Sequence, residues 1–289
     1  MTTTPGAALD GLRATLGSVE LGMVNPDGVA HYLRTLDGWD SPDSRSEFTD
    51  READHGTYAS PVYLSSRPVT LAGTLVAPSR DALEAAMESL RKASSLTDTT
   101  LTVSESQPRQ AQVRRSGKPL MQYVTDTTAT YSVMVTAADP RRYGTTLHED
   151  TTSLPSTSGG LVFPVTVPIA FSGTVVSGRI TATNVGTMDT RPVLSLTGPV
   201  VQPIVSAAYE DGSVRQLIYT QDLQAGDVLV IDTDSHAVTL NGAVSRRRFM
   251  TVPSGWPTIP PSQTVTYQFQ SSTYNTTAQL TASWRSAWL

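Results

Sequence analysis

Thr128-Ala-Thr-Tyr-Ser-Val-Met-Val-Thr-Ala137, continued by Ala138-Asp-Pro-Arg-Arg-Tyr-Gly144, decides the fold of this chain. Polar and apolar side chains alternate almost throughout, which predicts a strand with one wet face. The Asp139-Pro140 step ends it, because proline lacks the N–H that would extend a ladder. A spacer without period follows, and a second β-patterned half runs to the last residue. The pattern predicts two β modules in tandem. We place a β domain with one helix at residues 1–144, a linker at 145–160 and a β-sandwich at 161–289.

Working outward, the 289 residues suit two domains that each bury a sizeable core. Net charge is −5, with 14 basic and 17 acidic groups before residue 145 and 7 and 9 after it. Neither half carries the positive field of a nucleic-acid binder. Only Lys92 and Lys118 are lysines among 21 basic residues. The absence of cysteine excludes disulfides, thiol catalysis and thiolate metal sites. Met1-Thr-Thr-Thr-Pro-Gly does not read as a signal peptide. No apolar run approaches the ~20 residues of a membrane-spanning helix.

Short β-like pieces are expected around Leu16–Met23 and His31–Leu36. Asp37 to Asp54 is acidic and without period, and reads as a long loop. Trp39 within it either packs onto its own domain, as large aromatics commonly do, or anchors another subunit. Arg67-Pro-Val-Thr-Leu-Ala-Gly-Thr-Leu-Val-Ala resumes a strand, with Pro68 at its start or at a sheet edge. One helix follows. Ser79 is its expected N-cap, and Leu83, Ala86, Met87 and Leu90 share one face. Glu88 and Lys92 are spaced to pair on its surface. Strands return at 99–103, 110–114 and 120–124, so the first domain is α+β. In the second half Asp211-Gly212 and Asn241-Gly242 predict hairpin turns. Val228-Leu-Val-Ile reads as a buried strand, and the spacing suits a sandwich or jelly roll.

The search for chemistry returns little. The four histidines lack metal-ligand spacing. Asp232, Asp234 and His236 alternate and so could share a strand face. The plainer reading is the polar tip of a hairpin. Asp54-His55 and His148-Glu149-Asp150 are weaker still. No nucleophile elbow, phosphate loop or dinucleotide fingerprint is present. Arg246-Arg-Arg-Phe either meets an acidic partner or forms a solvated strand or salt-bridge lattice. No catalytic residue, cofactor or metal is expected.

The order of features resembles the distal tail proteins of siphoviruses, long-tailed non-contractile bacteriophages. The matching stretches are Leu36-Asp-Gly-Trp-Asp, Asp54-His55-Gly56, the Arg67-Pro-Val-Thr-Leu-Ala-Gly-Thr-Leu strand with its helix, and Ala138-Asp-Pro-Arg-Arg-Tyr. They continue with Gly160-Leu-Val-Phe-Pro-Val-Thr-Val-Pro, Asn184-Val-Gly, Arg191-Pro-Val-Leu-Ser-Leu-Thr-Gly-Pro, Gly226-Asp-Val-Leu-Val-Ile-Asp-Thr and Leu240-Asn-Gly.

The resemblance implies a tail-tube-like N-terminal domain that assembles as a ring, usually hexameric, and a galectin-like C-terminal sandwich. Its implied partners are the tail tube protein, the tape-measure protein and the tail-tip hub protein. The implied location is the virion tail tip, after synthesis in the host cytoplasm. Within it the Asp37–Asp54 loop is expected to reach a neighbouring subunit, with Trp39, Asp40, Asp43 and Arg45 as interface residues. Competing readings are a carbohydrate-binding module using Trp256, Trp284 or Trp288, a hydrolase at Asp232, Asp234 and His236, and another minor tail or tube protein.

Overall fold

The computed structural model describes residues 4–158 and 174–289. The chain is mostly β, and residues up to 145 and residues 146–288 form two compact units. The stretch Gly160-Leu-Val-Phe-Pro-Val-Thr-Val-Pro lies outside the described residues.

The strands of the first unit are β1 (Ala14–Leu16), β2 (Val19–Leu21), β3 (Met23–Val24), β4 (Ala30–Asp37), β5 (Ser44–Arg45), β6 (Phe48–Asp50), β7 (Thr57–Ala59), β8 (Tyr63–Leu64) and β9 (Arg67–Val76). Helix α1 (Arg80–Ala93) precedes β10 (Thr99–Val103), β11 (Arg109–Arg115), β12 (Leu120–Thr125), β13 (Thr128–Ala137) and β14 (Arg142–Gly144). Hydrogen bonding runs in the order β2-β1-β10-β11-β13-β9-β4-β3, with β12 sharing with β11 the edge of β13 that faces away from β9.

The alternation that opened the sequence reading is visible in β13. Ala129, Tyr131, Val133, Val135 and Ala137 point inward, while Thr130 and Met134 are exposed. Val133 pairs with Leu71 and Val135 with Val69, so inward side chains meet inward side chains across the ladder. Burying each such valine contributes about 1.5–3 kcal/mol. Gly73 lies opposite Tyr131, and a Cβ there would stand 1.8 Å from the Tyr32 carbonyl oxygen. Glycine therefore permits the close approach at which β4 bulges between Leu33 and Thr35.

Helix α1 starts as expected. Ser79 is its N-cap, accepting a hydrogen bond at Oγ from the Ala82 amide (3.2 Å). Leu83, Ala86, Met87, Leu90 and Ala93 are buried in the core of this unit. The surface pairing differs from expectation: Glu88 meets Arg91 at 2.9 Å rather than Lys92. The i,i+3 arginine satisfies the same carboxylate with a longer, forked donor.

His31, in β4, is 1% exposed. Its Nε2 lies 3.0 Å from Asn25 Nδ2, and burial lowers its pKa from 6.5, with Asp27 offsetting part of the effect. The folded chain therefore prefers neutral imidazole, while the unfolded chain takes up a proton as pH falls through 6.5. Stability is full above that pH and declines below it, until the folded-state pKa is reached. The loss is at most about 1.4 kcal/mol per pH unit. Urea unfolding at successive pH values should show this slope in the wild type and lose it in His31→Gln.

In the second unit, β15 (His148–Ser153), β16 (Ser156–Ser158), β17 (Thr174–Val176), β18 (Arg179–Thr183), β19 (Val193–Thr197), β20 (Ile204–Ala208) and β21 (Val214–Tyr219) come first. They are followed by β22 (Val228–Asp232), β23 (Ala237–Leu240), β24 (Val244–Ser245), β25 (Met250–Thr251), β26 (Thr264–Gln270), β27 (Gln279–Trp284) and β28 (Ala287–Trp288). One sheet orders β15-β27-β19-β22-β23-β24, and the other β18-β26-β20-β21-β25. Leu194, Leu229 and Leu280 of the first share a core with Ile180, Val205 and Phe269 of the second. Asn241 and Gly242 take positive φ (54° and 70°) in the β23–β24 turn, which fits the expected hairpin.

Two expectations need correction. The linker placed at 145–160 contains β15, paired along its length with β27 from His148↔Trp284 to Ser153↔Gln279. Five of its six residues are polar or charged toward solvent or half-buried, so no apolar period announced a strand. The Val228-Leu-Val-Ile strand buries only Leu229 and Ile231 fully, because one face of its sheet looks outward. Among the described residues no helix is long and apolar enough to cross a membrane.

Candidate assembly surface

The acidic stretch read as a loop is the first half of a β-hairpin arm. Ser44–Arg45 pairs with Tyr63–Leu64, and Phe48–Asp50 pairs with Thr57–Ala59. The Ser65 amide donates to the Asp43 carbonyl at 2.8 Å, and the Ser60 amide to the Glu47 carbonyl at 2.9 Å, which continues the ribbon. Gly56, at φ 91°, belongs to the turn. The loop reading failed because both faces of this ribbon are wet. With no core face, no apolar period can form.

The arm leaves large side chains in solvent. Phe48, Tyr58, Val62 and Tyr63 are each more than 60% exposed. Arg51 lies over the Tyr58 ring, with Cζ 5.1 Å from its centroid. A lone two-stranded hairpin is at best marginally stable in water. Exposed aromatics on such a ribbon therefore mark a surface that gains stability by being covered.

The base of the arm is held by buried side chains. Trp39 is 2% exposed and belongs to the core of its own unit, the first of the two readings given to it. Its indole Nε1 donates to Glu105 Oε1 at 2.6 Å, and Arg142 Cζ lies 5.6 Å from its ring. Glu105 also pairs with Arg142 and Arg109, both at 3.4 Å. Arg67, wholly buried, donates to the carbonyls of Trp39 and Pro140. Burial, then repulsion from Arg142, holds the Arg67 pKa down to about 10, against attraction from Asp40, Asp139 and Glu105. The guanidinium stays charged at neutral pH and fastens the Trp39 and Pro140 segments, which lie 28 and 73 residues from it in the chain.

Of the four residues expected at an interface, Asp40, Asp43 and Arg45 are exposed at or near the arm's base, and Trp39 holds that base from within. Sequence reasoning missed Phe48, Tyr58, Val62 and Tyr63 as surface, and Glu105, Arg67 and Arg142 as the fastening. The turn signal Asp54-His55-Gly56 was the one available pointer to a hairpin.

The competing sites do not assemble. Asp232 accepts hydrogen bonds from the amides of Asp234 and Ser235 and from the Ser235 hydroxyl, closing the β22–β23 turn. Asp234 pairs with Arg191, while His236 stacks on Trp256 with centroids 4.6 Å apart. The carboxylates are thus engaged in the turn and the imidazole faces an indole. Among the described residues no cluster of three metal-ligating side chains exists.

Trp256 also has the Arg247 guanidinium 4.9 Å from its ring centroid, which leaves little π surface for a sugar ring. Trp284 is 8% exposed and donates to the Thr183 carbonyl at 2.9 Å. The Arg246–Arg248 run is neither a strand nor a salt-bridge lattice. It forms a 3₁₀ turn over Arg247–Phe249, with Arg246 and Arg248 over Phe249.

Residues 185–288 match the model of the siphovirus-type tail component, C-terminal domain. The fold is similar to that of SPP1 Dit (gp 19.1), described as a paradigm of the hub adsorption apparatus in phages infecting Gram-positive hosts. That pair shares 11% identity over 97% of this chain and 100% of the other, with a TM-score of 0.63. Chains of the phage P2 baseplate in its activated conformation are also similar. With Ca the values are 10% identity, 94% of this chain, 98% of that chain and a TM-score of 0.50; with Sr, 10%, 94%, 97% and 0.50. No curated protein sequence matches. The resemblance to siphovirus distal tail proteins is borne out by the family match in the second unit and by the fold of both.

Proposed function

We propose that the chain is a structural, non-enzymatic distal tail protein of a long-tailed bacteriophage, and that copies of it close into a ring, a hexamer, joining tail tube to tail tip. The observation that carries this reading is the exposed arm, a ribbon with too few internal contacts to stand alone.

The sheet of the first unit adds support. Among the described residues β12 pairs only with β13, and β4 beyond His31 pairs only with β9. Unpaired strand edges on opposite flanks suit head-to-tail contacts between identical copies. The outward faces of β13 and β9, from Thr128 to Thr136 and from Thr70 to Thr74, carry no charge, which suits a wall past which DNA slides. In this reading the second unit is a galectin-like sandwich, and the partners are the tube, tape-measure and hub proteins of the virion.

Light scattering on a sizing column tests the reading together with electron microscopy of tail tips. Purified full-length chain should form closed sixfold rings, and the same ring should cap the tube. Chain that remains monomeric up to the concentrations reached in a tail would overturn it.

A further inference from the structure

We propose that the arm of one copy docks on a basic, partly apolar patch of the next copy, formed by the end of α1 and the β11–β12 turn. This rests on the ring reading above and names the surface that receives the arm.

Residues 43–65 carry five acids (Asp43, Glu47, Asp50, Glu52 and Asp54) against Arg45 and Arg51. The patch holds the opposite balance: Arg91, Lys92, Arg114, Arg115 and Lys118 against Glu88 and Asp98. Both lysines of the chain are here. The elements are neighbours, since the Arg115 amide donates to the Ser95 carbonyl at 2.9 Å, and Arg114 grips Asp98 with two bonds of 2.8 and 2.9 Å. Arg91 is engaged by Glu88. Among the described residues Lys92, Arg115 and Lys118 make no ion pair, so the patch keeps an unbalanced positive charge.

The apolar component matches as well. Leu96 is 72% exposed and Leu120 58% exposed beside these cations. Phe48, Tyr58, Val62 and Tyr63 would supply the facing apolar surface. Aromatic and arginine side chains are the usual anchors of protein interfaces.

The occupant is a second copy, not the same chain. In one chain the arm is exposed from Asp43 to Tyr63 except at half-buried Ser60, and Lys92, Lys118 and Leu120 are exposed too. The arm leaves the sheet between β4 and β9, whereas the patch borders the far edge of β13. Different surfaces on opposite flanks give a heterologous contact, the kind that closes rings. Opposite charge also steers encounter and selects the register of docking.

The test uses charge reversal in the full chain. Lys92→Glu, Arg115→Glu and Lys118→Glu together should raise the concentration needed for rings at least tenfold, and so should Glu47→Lys, Asp50→Lys and Glu52→Lys together. Both sets in one chain should restore rings, and unaltered thermal unfolding would confirm that each variant folds. Rings that survive the patch reversal, or a combined variant that fails to recover, would overturn the docking site.

Two controls separate this from the ring reading. Replacing residues 44–64 by a short Gly-Ser turn should abolish rings. If rings persist, the arm has no docking role while the ring reading stands. If wild-type chain forms no rings, both fail. Duplex DNA retained by the patch, lost on reversal with rings unchanged, would assign the cations to nucleic acid instead and overturn the proposal.

Discussion

Asn184→Ala should destabilise the second unit by about 3–5 kcal/mol, one of the two largest effects expected from a single substitution in this chain. Asn184 is wholly buried, and its amide lies within hydrogen-bond distance of five backbone groups. Nδ2 donates to the carbonyls of Met188 (2.7 Å), Ile259 (3.1 Å) and Pro260 (3.3 Å). Oδ1 accepts from the amides of Gly186 (2.9 Å) and Ala287 (3.2 Å). Alanine would leave these groups without that side chain, and each buried group left unsatisfied costs about 1–3 kcal/mol. Asn184→Asp keeps the two acceptor contacts but turns a negative charge toward three carbonyl oxygens, so it should be no milder. Urea unfolding followed by the fluorescence of Trp256, Trp284 and Trp288 measures the loss. A midpoint equal to wild type would show that the amide does not tie these segments together.

Trp39→Ala should cost the first unit about 3–5 kcal/mol, the usual range for removing a buried tryptophan. Two effects combine: a cavity opens in the core, and Glu105 loses its indole donor. Trp39→Phe separates them, since the ring remains while the hydrogen bond goes, and it should cost only about 1–2 kcal/mol. Circular dichroism during urea unfolding gives both values. Because Trp39 fastens the base of the arm, the alanine variant should also need more protein to form rings, even where it is mostly folded. Equal ring formation at equal folded concentration would separate the fastening from the arm's role.

The sequence made legible those parts whose signal is local. The alternation of β13 survives in the structure residue by residue, with Met134 as its one outward apolar side chain. Ser79 and the apolar face of α1 were readable for the same reason. The arm was not readable, because a ribbon with two wet faces has no period to display. Strand β15 was hidden by composition, since a half-exposed edge strand can be written almost wholly in polar residues. The fastening at Trp39 depends on Glu105, 66 residues away, and no local pattern reports such a pairing.

The arm's length bears on how copies find one another. At about 3.3 Å per residue, the nine residues from Asp43 to Arg51 span roughly 26 Å of extended chain. A projection of that kind enlarges the volume in which a newcomer can be caught, so first touch precedes exact alignment. Association would begin as a loose, salt-sensitive tether and tighten only as strand edges come into line. In the proposed ring the last subunit would meet an arm on one flank and an open patch on the other, and being held twice would favour completed circles over open arcs.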